Sequence, residues 1–429
     1  MIRRIAWVGP WSERSAIAKF GALVVQQLAG RGIEVRVLRS ETGAEAAETA
    51  LPAPGAIGWV GETDAWDLWR DHDAVLVNIG DHHGYHGGAL GLYGRVPVIT
   101  ILHDAYVANL LHGVGGDFLA RVAAAFDGPP PTEDGPPPAD EASSRPMTGW
   151  FAAGAAGAIV HARHYASDVL AACPGPVSVI PLAYAAPELP PPRAIAEPLT
   201  VATIGRLGPN KRADEVIRGI AAVAGGPARI RYRLIGAVET AERGRLEALA
   251  AKLGVSVSFA GEVPDAHLAE EFATIDVVAC LRHPVLEGAS ASLIVAMLSG
   301  RPVLVSHQGV YAEVPDDLVL SCAPGEEGPD VARHLAAILD DGPTASLMAA
   351  RARAYASATH DPARYADALL AFIPGAMRGA AAIASARSLG ARLAAFGAAP
   401  DDPAIGRVGE ILGALLGGTR EEGGAMMSP

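Results

Sequence analysis

Hydrophobic positions along the chain fall into two alternating kinds of run. Short continuous apolar stretches recur at residues 2–8, 33–38, 56–60, 74–79 and 96–102, and they read as buried strands. Between several of them lie stretches with apolar residues at helical spacing, such as 15–29 and 64–72, and Gly30 and Gly32 supply a stop signal before 33–38. Strands buried on both faces and separated by helices predict a parallel sheet with helices on each side. The alternation resumes with a strand at 157–160, a helix near 163–172 and a strand at 177–181. A second series then starts. Strands are expected at 199–204, 231–235, 255–259, 276–281 and 302–306, with helices at 211–223, 239–253, 265–274 and 290–299.

Two Pro-rich pieces interrupt the pattern. Residues 127–148 hold two Pro triplets among Asp, Glu and Ser, which predicts a disordered surface loop, because so little apolar surface cannot offset the ordering entropy. Residues 187–198 read as a linker between two domains. A chain of 429 residues is long for a single core, which agrees with that division. The expected domains are therefore 1–186, 187–360 and a helical tail, 361–429. In the tail Ile405, Val408, Ile411, Leu412 and Leu415 share one helix face, a stripe expected to pack on the body or on a second copy in a homodimer.

Charge and cysteine usage narrow the partners. The chain carries 34 basic and 47 acidic side chains, a formal charge of −13, which disfavours nucleic acid and anionic membrane as bulk partners. Its three cysteines, Cys173, Cys280 and Cys322, show no metal-binding or disulfide spacing and suit a reducing, cytoplasmic setting. No uninterrupted apolar window of about 18 residues occurs, so no transmembrane segment is expected and at most peripheral membrane contact. The His82, His83 and His86 cluster fits no closed zinc site, and acceptor-side hydrogen bonding or a plain surface loop is expected there instead of a metal.

The segment most loaded with chemistry is 201–211, VATIGRLGPNK. A buried strand ends at Gly205-Arg206, and a Gly/Pro/Asn turn leads to Lys211 at the opening of the next helix. Gly205 allows close backbone approach, Arg206 offers a fork of donors, and Lys211 adds a point charge. Two cations at such a strand–turn–helix suit a diphosphate. A surface Arg and Lys in a βα loop would read the same way in isolation.

A second segment, 281–306, changes the balance: LRHPVLEGASASLIVAMLSGRPVLVS places Glu287-Gly288 before a helix and Gly300-Arg301-Pro302-Val303 after it. Together the two segments resemble the glycosyltransferase group 1 family, glycosyltransferase family 4. That family carries a G-R-L-x-x-x-K element and an E-x7-E element ending in A-M-x-x-G-x-P-V. The first is intact in Gly205, Arg206, Leu207 and Lys211. The second keeps Glu287, Ala296 and Met297 but has Val295 where the second Glu stands. Further likenesses are Ser15-Ala16-Ile17-Ala18, where the family's N-terminal donor loop sits, His103-Asp104 after a strand, and the Gly309–Glu313 turn. The resemblance runs over about residues 1–372.

The fold that the resemblance implies is GT-B: two Rossmann-like, doubly wound parallel-sheet domains facing across a cleft, with C-terminal helices. The function it implies is a retaining, metal-independent transfer of a sugar from a nucleotide diphosphate sugar to a glycan or glycolipid acceptor. That sugar nucleotide would be a co-substrate, with no other cofactor. By resemblance, Arg206 and Lys211 stabilise the leaving diphosphate, Glu287 holds the donor sugar, and the amides of Gly288, Ala289 and Ser290 receive phosphate charge. His103 points at the donor from the other domain, Asp104 orients it or binds acceptor, and Ser15 lies on the donor side. Two other readings stay open. One is a GT-B epimerase or hydrolase acting on nucleotide sugars; the other, motivated by Val295, is a non-catalytic nucleotide-sugar-binding scaffold.

Overall fold

The structure is a computed structural model that describes residues 2–116, 118, 122, 146–264, 267–397 and 402–415. Most of the expected loop, 127–145, falls outside the described residues, as do parts of the tail.

Two parallel sheets carry the molecule. The first has seven strands: β1 (Arg4–Gly9), β2 (Glu34–Arg39), β3 (Ile57–Trp59), β4 (Ala74–Ile79), β5 (Ile99–Leu102), β6 (Gly157–Val160) and β7 (Val177–Val179), in the order β3-β2-β1-β4-β5-β6-β7. The second has six: β8 (Leu199–Ile204), β9 (Ile230–Ile235), β10 (Ser256–Gly261), β11 (Val277–Cys280), β12 (Val303–Ser306) and β13 (Leu320–Cys322), in the order β10-β9-β8-β11-β12-β13. All recorded strand pairs are parallel. In each sheet the order reverses beside the first strand, between β1 and β4 and between β8 and β11. A crevice opens at such a reversal, at the carboxyl ends of the strands.

The patterning follows from burial. β4, β6, β11 and β12 are buried at every position because helices cover both faces, which is why their sequences show no alternation. The helix Ala291–Leu298 buries all of Leu293 to Leu298, since it is wedged between the second sheet and the helix Gly342–Thr359. Val295 is only 6 % exposed there, inside a core with Met297, Val305 and Phe272.

The tail does two different things. The helix Pro362–Ala395 returns to the first domain, where Tyr365, Ala366, Leu369, Ile373 and Ala376 join the core of Trp7, Phe20 and Val24. The helix Pro403–Leu415 contacts Pro362–Ala395, and Ile411 is 58 % exposed. The expected stripe is therefore not buried against the body at that position. The run Gly342–Gly390 is long and apolar enough by length and composition to cross a membrane, although charged residues such as Arg378 divide it. Its inner face, including Ala352, Ala356, Leu369 and Ile373, is spent on the protein's own cores.

Candidate active site

A pocket of about 580 Å³ sits at the reversal point of the second sheet. It gathers Gly205, Arg206 and Lys211 from the end of β8 with Arg282, Glu287, Ala289 and Ser290 beyond β11, and Glu239 and Glu242 close the far side.

The β8 side is shaped by its glycine and its lysine. Gly205 has φ +97, which favours glycine, and an added Cβ would stand 3.0 Å from Lys211 Nζ. Lys211 does not open a helix, contrary to the expected boundary. It closes a short 3-10 turn, Pro209–Lys211; Arg212 then takes a left-handed φ of +53 and the helix starts at Ala213. The lysine side chain folds back instead, donating from Nζ to the Ile204 carbonyl at 2.5 Å, and the residue is 7 % exposed. Burial lowers its pKa to about 8, helped by the charge of Arg282. Arg206 stands exposed at the rim.

The β11 side is held by a compact polar cluster. Arg282 Nε donates to Glu287 Oε1 at 2.7 Å and lies 3.2 Å from Tyr311 Oη. The Tyr311 hydroxyl donates to the same Glu287 oxygen at 2.7 Å and stands 2.9 Å from Ser290 Oγ. Burial pushes the Glu287 carboxyl up, but Arg282 and Tyr311 outweigh it, and the net shift is downward. Glu287 is thus an ionised, anchored group, with Oε2 receiving a 3.3 Å contact from the Leu286 amide. Ser290 caps the helix Ala291–Leu298, its Oγ accepting from Leu293 N at 3.3 Å. Ala289 and Ser290 line the pocket at that helix start.

Gly288 departs from expectation. Its amide donates to the His103 carbonyl at 3.0 Å, and the Ala105 amide donates to the Leu286 carbonyl at 2.9 Å, so the two domains join in a small antiparallel bridge between Asp104 and Glu287. A Cβ on Gly288 would meet Tyr165 Oη at 2.4 Å and the His103 carbonyl at 2.8 Å. That amide is committed to the first domain rather than offered to a phosphate. Glu313 adds a second link, accepting the amides of Arg163 at 2.9 Å and His164 at 2.7 Å.

His103 also differs. Its ring is buried, with Nε2 3.0 Å from Asn78 Oδ1 and Nδ1 3.1 Å from His161 Nε2, and Phe20 packs edge-on at 4.9 Å. Burial holds its pKa well below the ordinary value. Both nitrogens serve the interior of the first domain, so the imidazole is not presented to this pocket. Asp104 stays at the domain junction: Oδ2 accepts from the Asp81 amide at 2.8 Å, and burial raises its pKa to about 6, with Glu287 adding to the rise. Neighbouring Asp81 is raised to about 8, again chiefly by burial. Ser15 caps the helix Ala16–Gly30, its Oγ accepting from Ala18 N at 3.3 Å, and does not line the pocket. His86 is buried against the Asn78 carbonyl at 3.1 Å, and among the described residues no group of three His, Cys, Asp or Glu side chains is placed to hold a metal ion.

Three residues were missed from sequence: Arg282, Tyr311 and Asp81. Arg282 stood at the carboxyl end of an expected strand, the same signal that singled out Arg206. Tyr311 and Asp81 gave no comparable signal.

Comparison with known proteins agrees with this geometry. Residues 187–355 match the family model "Glycosyl transferases group 1". No curated protein matches the chain in sequence at a significant level. Among solved structures, Anabaena HepE in complex with UDP and glucose has a TM-score of 0.59 at 17% identity, over 87% of this chain and 99% of that one. Sucrose-phosphate synthase from Thermosynechococcus elongatus has a TM-score of 0.59 at 15% identity, covering 86% and 97%. WaaG, a glycosyltransferase involved in lipopolysaccharide biosynthesis, has a TM-score of 0.53 at 17% identity, covering 85% and 99%. At such identities the structures speak for the fold alone. Residues 187–355 are thus similar to the group 1 glycosyltransferases, and the chain has the GT-B fold.

Proposed function

We propose that the chain transfers a glycosyl group from a nucleoside diphosphate sugar to a glycan or glycolipid hydroxyl, with retention at the anomeric carbon. The observation that carries this reading is the placing of Arg206 and Lys211 in one pocket at the reversal point of the second sheet. The sugar C1–O bond breaks with its electron pair leaving on the diphosphate. Cations already fixed at that oxygen lower the barrier because they need no reorganisation as charge builds. The acceptor oxygen forms its bond to C1 on the face the diphosphate leaves, and its proton passes to the departing phosphate oxygen. Ala289 and Ser290, at the start of a helix, add the positive end of that helix. The bridge between the domains sets Glu287 beside Asp104 and so ties the donor pocket to the acceptor-side domain.

In HepE the bound molecules are UDP and glucose, which supports testing uridine donors first. A thermal-shift series with UDP, GDP, ADP and dTDP and their sugars tests the reading; stabilisation by one base is expected. A chain that binds none of them at millimolar concentration refutes it. Because side chains and backbone take the phosphate charge, EDTA is expected to leave transfer intact, and strict dependence on a divalent ion would count against this mechanism.

A further inference from the structure

We infer that Arg282 is a third cation for the donor's phosphate groups, and that Glu287 and Tyr311 serve that ligand through it, as positioning residues. The inference rests on the reading of the pocket as a nucleoside diphosphate site.

Arg282 is pinned from every side but one. Its amide donates to Ser306 Oγ at 3.0 Å and its carbonyl accepts from the Gln308 side chain, so both main-chain groups are tied to the end of β12. In its side chain only Nε is used: it faces Glu287 and Tyr311. Among the described residues neither terminal nitrogen has a protein acceptor, although the residue is only 8 % exposed and lines the pocket. A guanidinium gripped at Nε presents its outer edge, with two nitrogens in the geometry that matches phosphate oxygens. Holding that edge still is the work left for Glu287 and Tyr311, since among the described residues their side-chain partners are Arg282, each other and the helix cap Ser290.

The charges of the pocket point the same way. Arg206, Lys211 and Arg282 line it together. Of the carboxylates nearby, Glu287 pairs with Arg282, and Glu242 is held by Arg245 through two contacts of 2.8 Å. Glu239 is exposed at the far side. Among the described residues Lys211 Nζ has the Ile204 carbonyl as its one acceptor, and its lowered pKa reflects burial first and then repulsion from Arg282. Two buried cations that repel one another gain from an anion placed between them. A diphosphate supplies the charge and the oxygens to meet all three.

The test is calorimetric binding of UDP, inorganic pyrophosphate and uridine to the full chain and its variants. Removing Arg282 alone would strand a buried carboxylate, so the informative variant is Arg282→Gln with Glu287→Gln, which removes both charges, keeping the shape at position 287 and leaving a shorter side chain at position 282. With the fold checked by melting, UDP and pyrophosphate affinity is expected to fall about 10- to 100-fold, the range for hydrogen bonds to charged groups. Uridine binding is expected to stay unchanged. Arg282→Lys on the Glu287→Gln background should recover part of the loss, and Tyr311→Phe should cost a few-fold on pyrophosphate and nothing on uridine. If the wild-type chain binds diphosphates and the double variant binds them equally well, the role of Arg282 is refuted while the donor pocket stands. A loss shared equally by uridine refutes it too. If the wild-type chain binds neither UDP, any other nucleoside diphosphate nor pyrophosphate, the donor reading falls and takes this inference with it.

Discussion

Lys211→Met should make the ligand-free protein more stable while it destroys diphosphate binding. Lys211 is almost fully buried, and its pKa falls from 10.5 to about 8 through burial and the nearby charge of Arg282. For a base with a depressed folded pKa, the unfolded chain holds the proton more tightly, so the charged form opposes folding. At about 1.4 kcal/mol per pH unit, the penalty below pH 8 is about 3 kcal/mol. Met keeps the packed stem and removes the charge, but it also forfeits the bond to the Ile204 carbonyl, which is worth about 1 kcal/mol. The balance is about 2 kcal/mol in favour of the variant at pH 7, a rise of about 4–8 °C for a domain of this size. Wild-type stability should itself climb as pH rises from about 8 towards 10.5, so the advantage of the variant shrinks across that window. Melting of both proteins at pH 7 and pH 10 without ligand, followed by UDP titration at pH 7, measures all three effects. A variant less stable than wild type at pH 7, or an advantage that persists undiminished at pH 10, refutes the argument that Lys211 is a charge held against its own solvation for a ligand's sake.

Gly288→Ala drives a methyl group into Tyr165 and the His103 carbonyl, so it should cost about 1–3 kcal/mol and lower transfer more than UDP affinity; denaturant melts and steady-state kinetics separate the two. Val295→Glu restores the family residue but buries a carboxylate in a core where the side chain is 6 % exposed, so a loss of about 3 kcal/mol or more and no gain in UDP affinity are expected from urea unfolding and calorimetry. His103→Gln should lower the melting temperature by breaking contacts to Asn78 and His161 yet leave the UDP dissociation constant within about twofold, well inside the roughly 1.4 kcal/mol of a tenfold change. A tenfold weakening would return His103 to the donor site.

Much of this molecule could be read from local pattern because strands buried on both faces leave an unambiguous mark. The stretches 74–79, 157–160 and 199–204 coincide with β4, β6 and β8. The edge strand β13 went unread, although the equally short edge strands β3 and β7 fell within the expected stretches 56–60 and 177–181. Among the site residues, Arg206, Lys211, Glu287, Ala289 and Ser290 do meet in one pocket, and the motif spacing announced them. What spacing does not carry is partnership over distance. His103 is settled by His161, 58 positions away, and Glu287 by Tyr311, 24 positions away.

Gly288 shows why such errors take the form they do. A glycine ahead of a helix start suggests close approach of a ligand, and that logic put its amide at the phosphate. In the structure the close approach is real, but the approaching groups are Tyr165 and the His103 carbonyl of the other domain. The requirement for a missing side chain is identical in the two cases, and so is the sequence. Only the position of the opposing domain separates a residue that touches substrate from one that fastens the walls around it. Glu287 poses the same question: it lines the pocket, as its motif position suggested, and a buried arginine holds one of its carboxylate oxygens. Motifs therefore locate the place where chemistry happens, while the division of labour within it is set by contacts that only the folded chain makes.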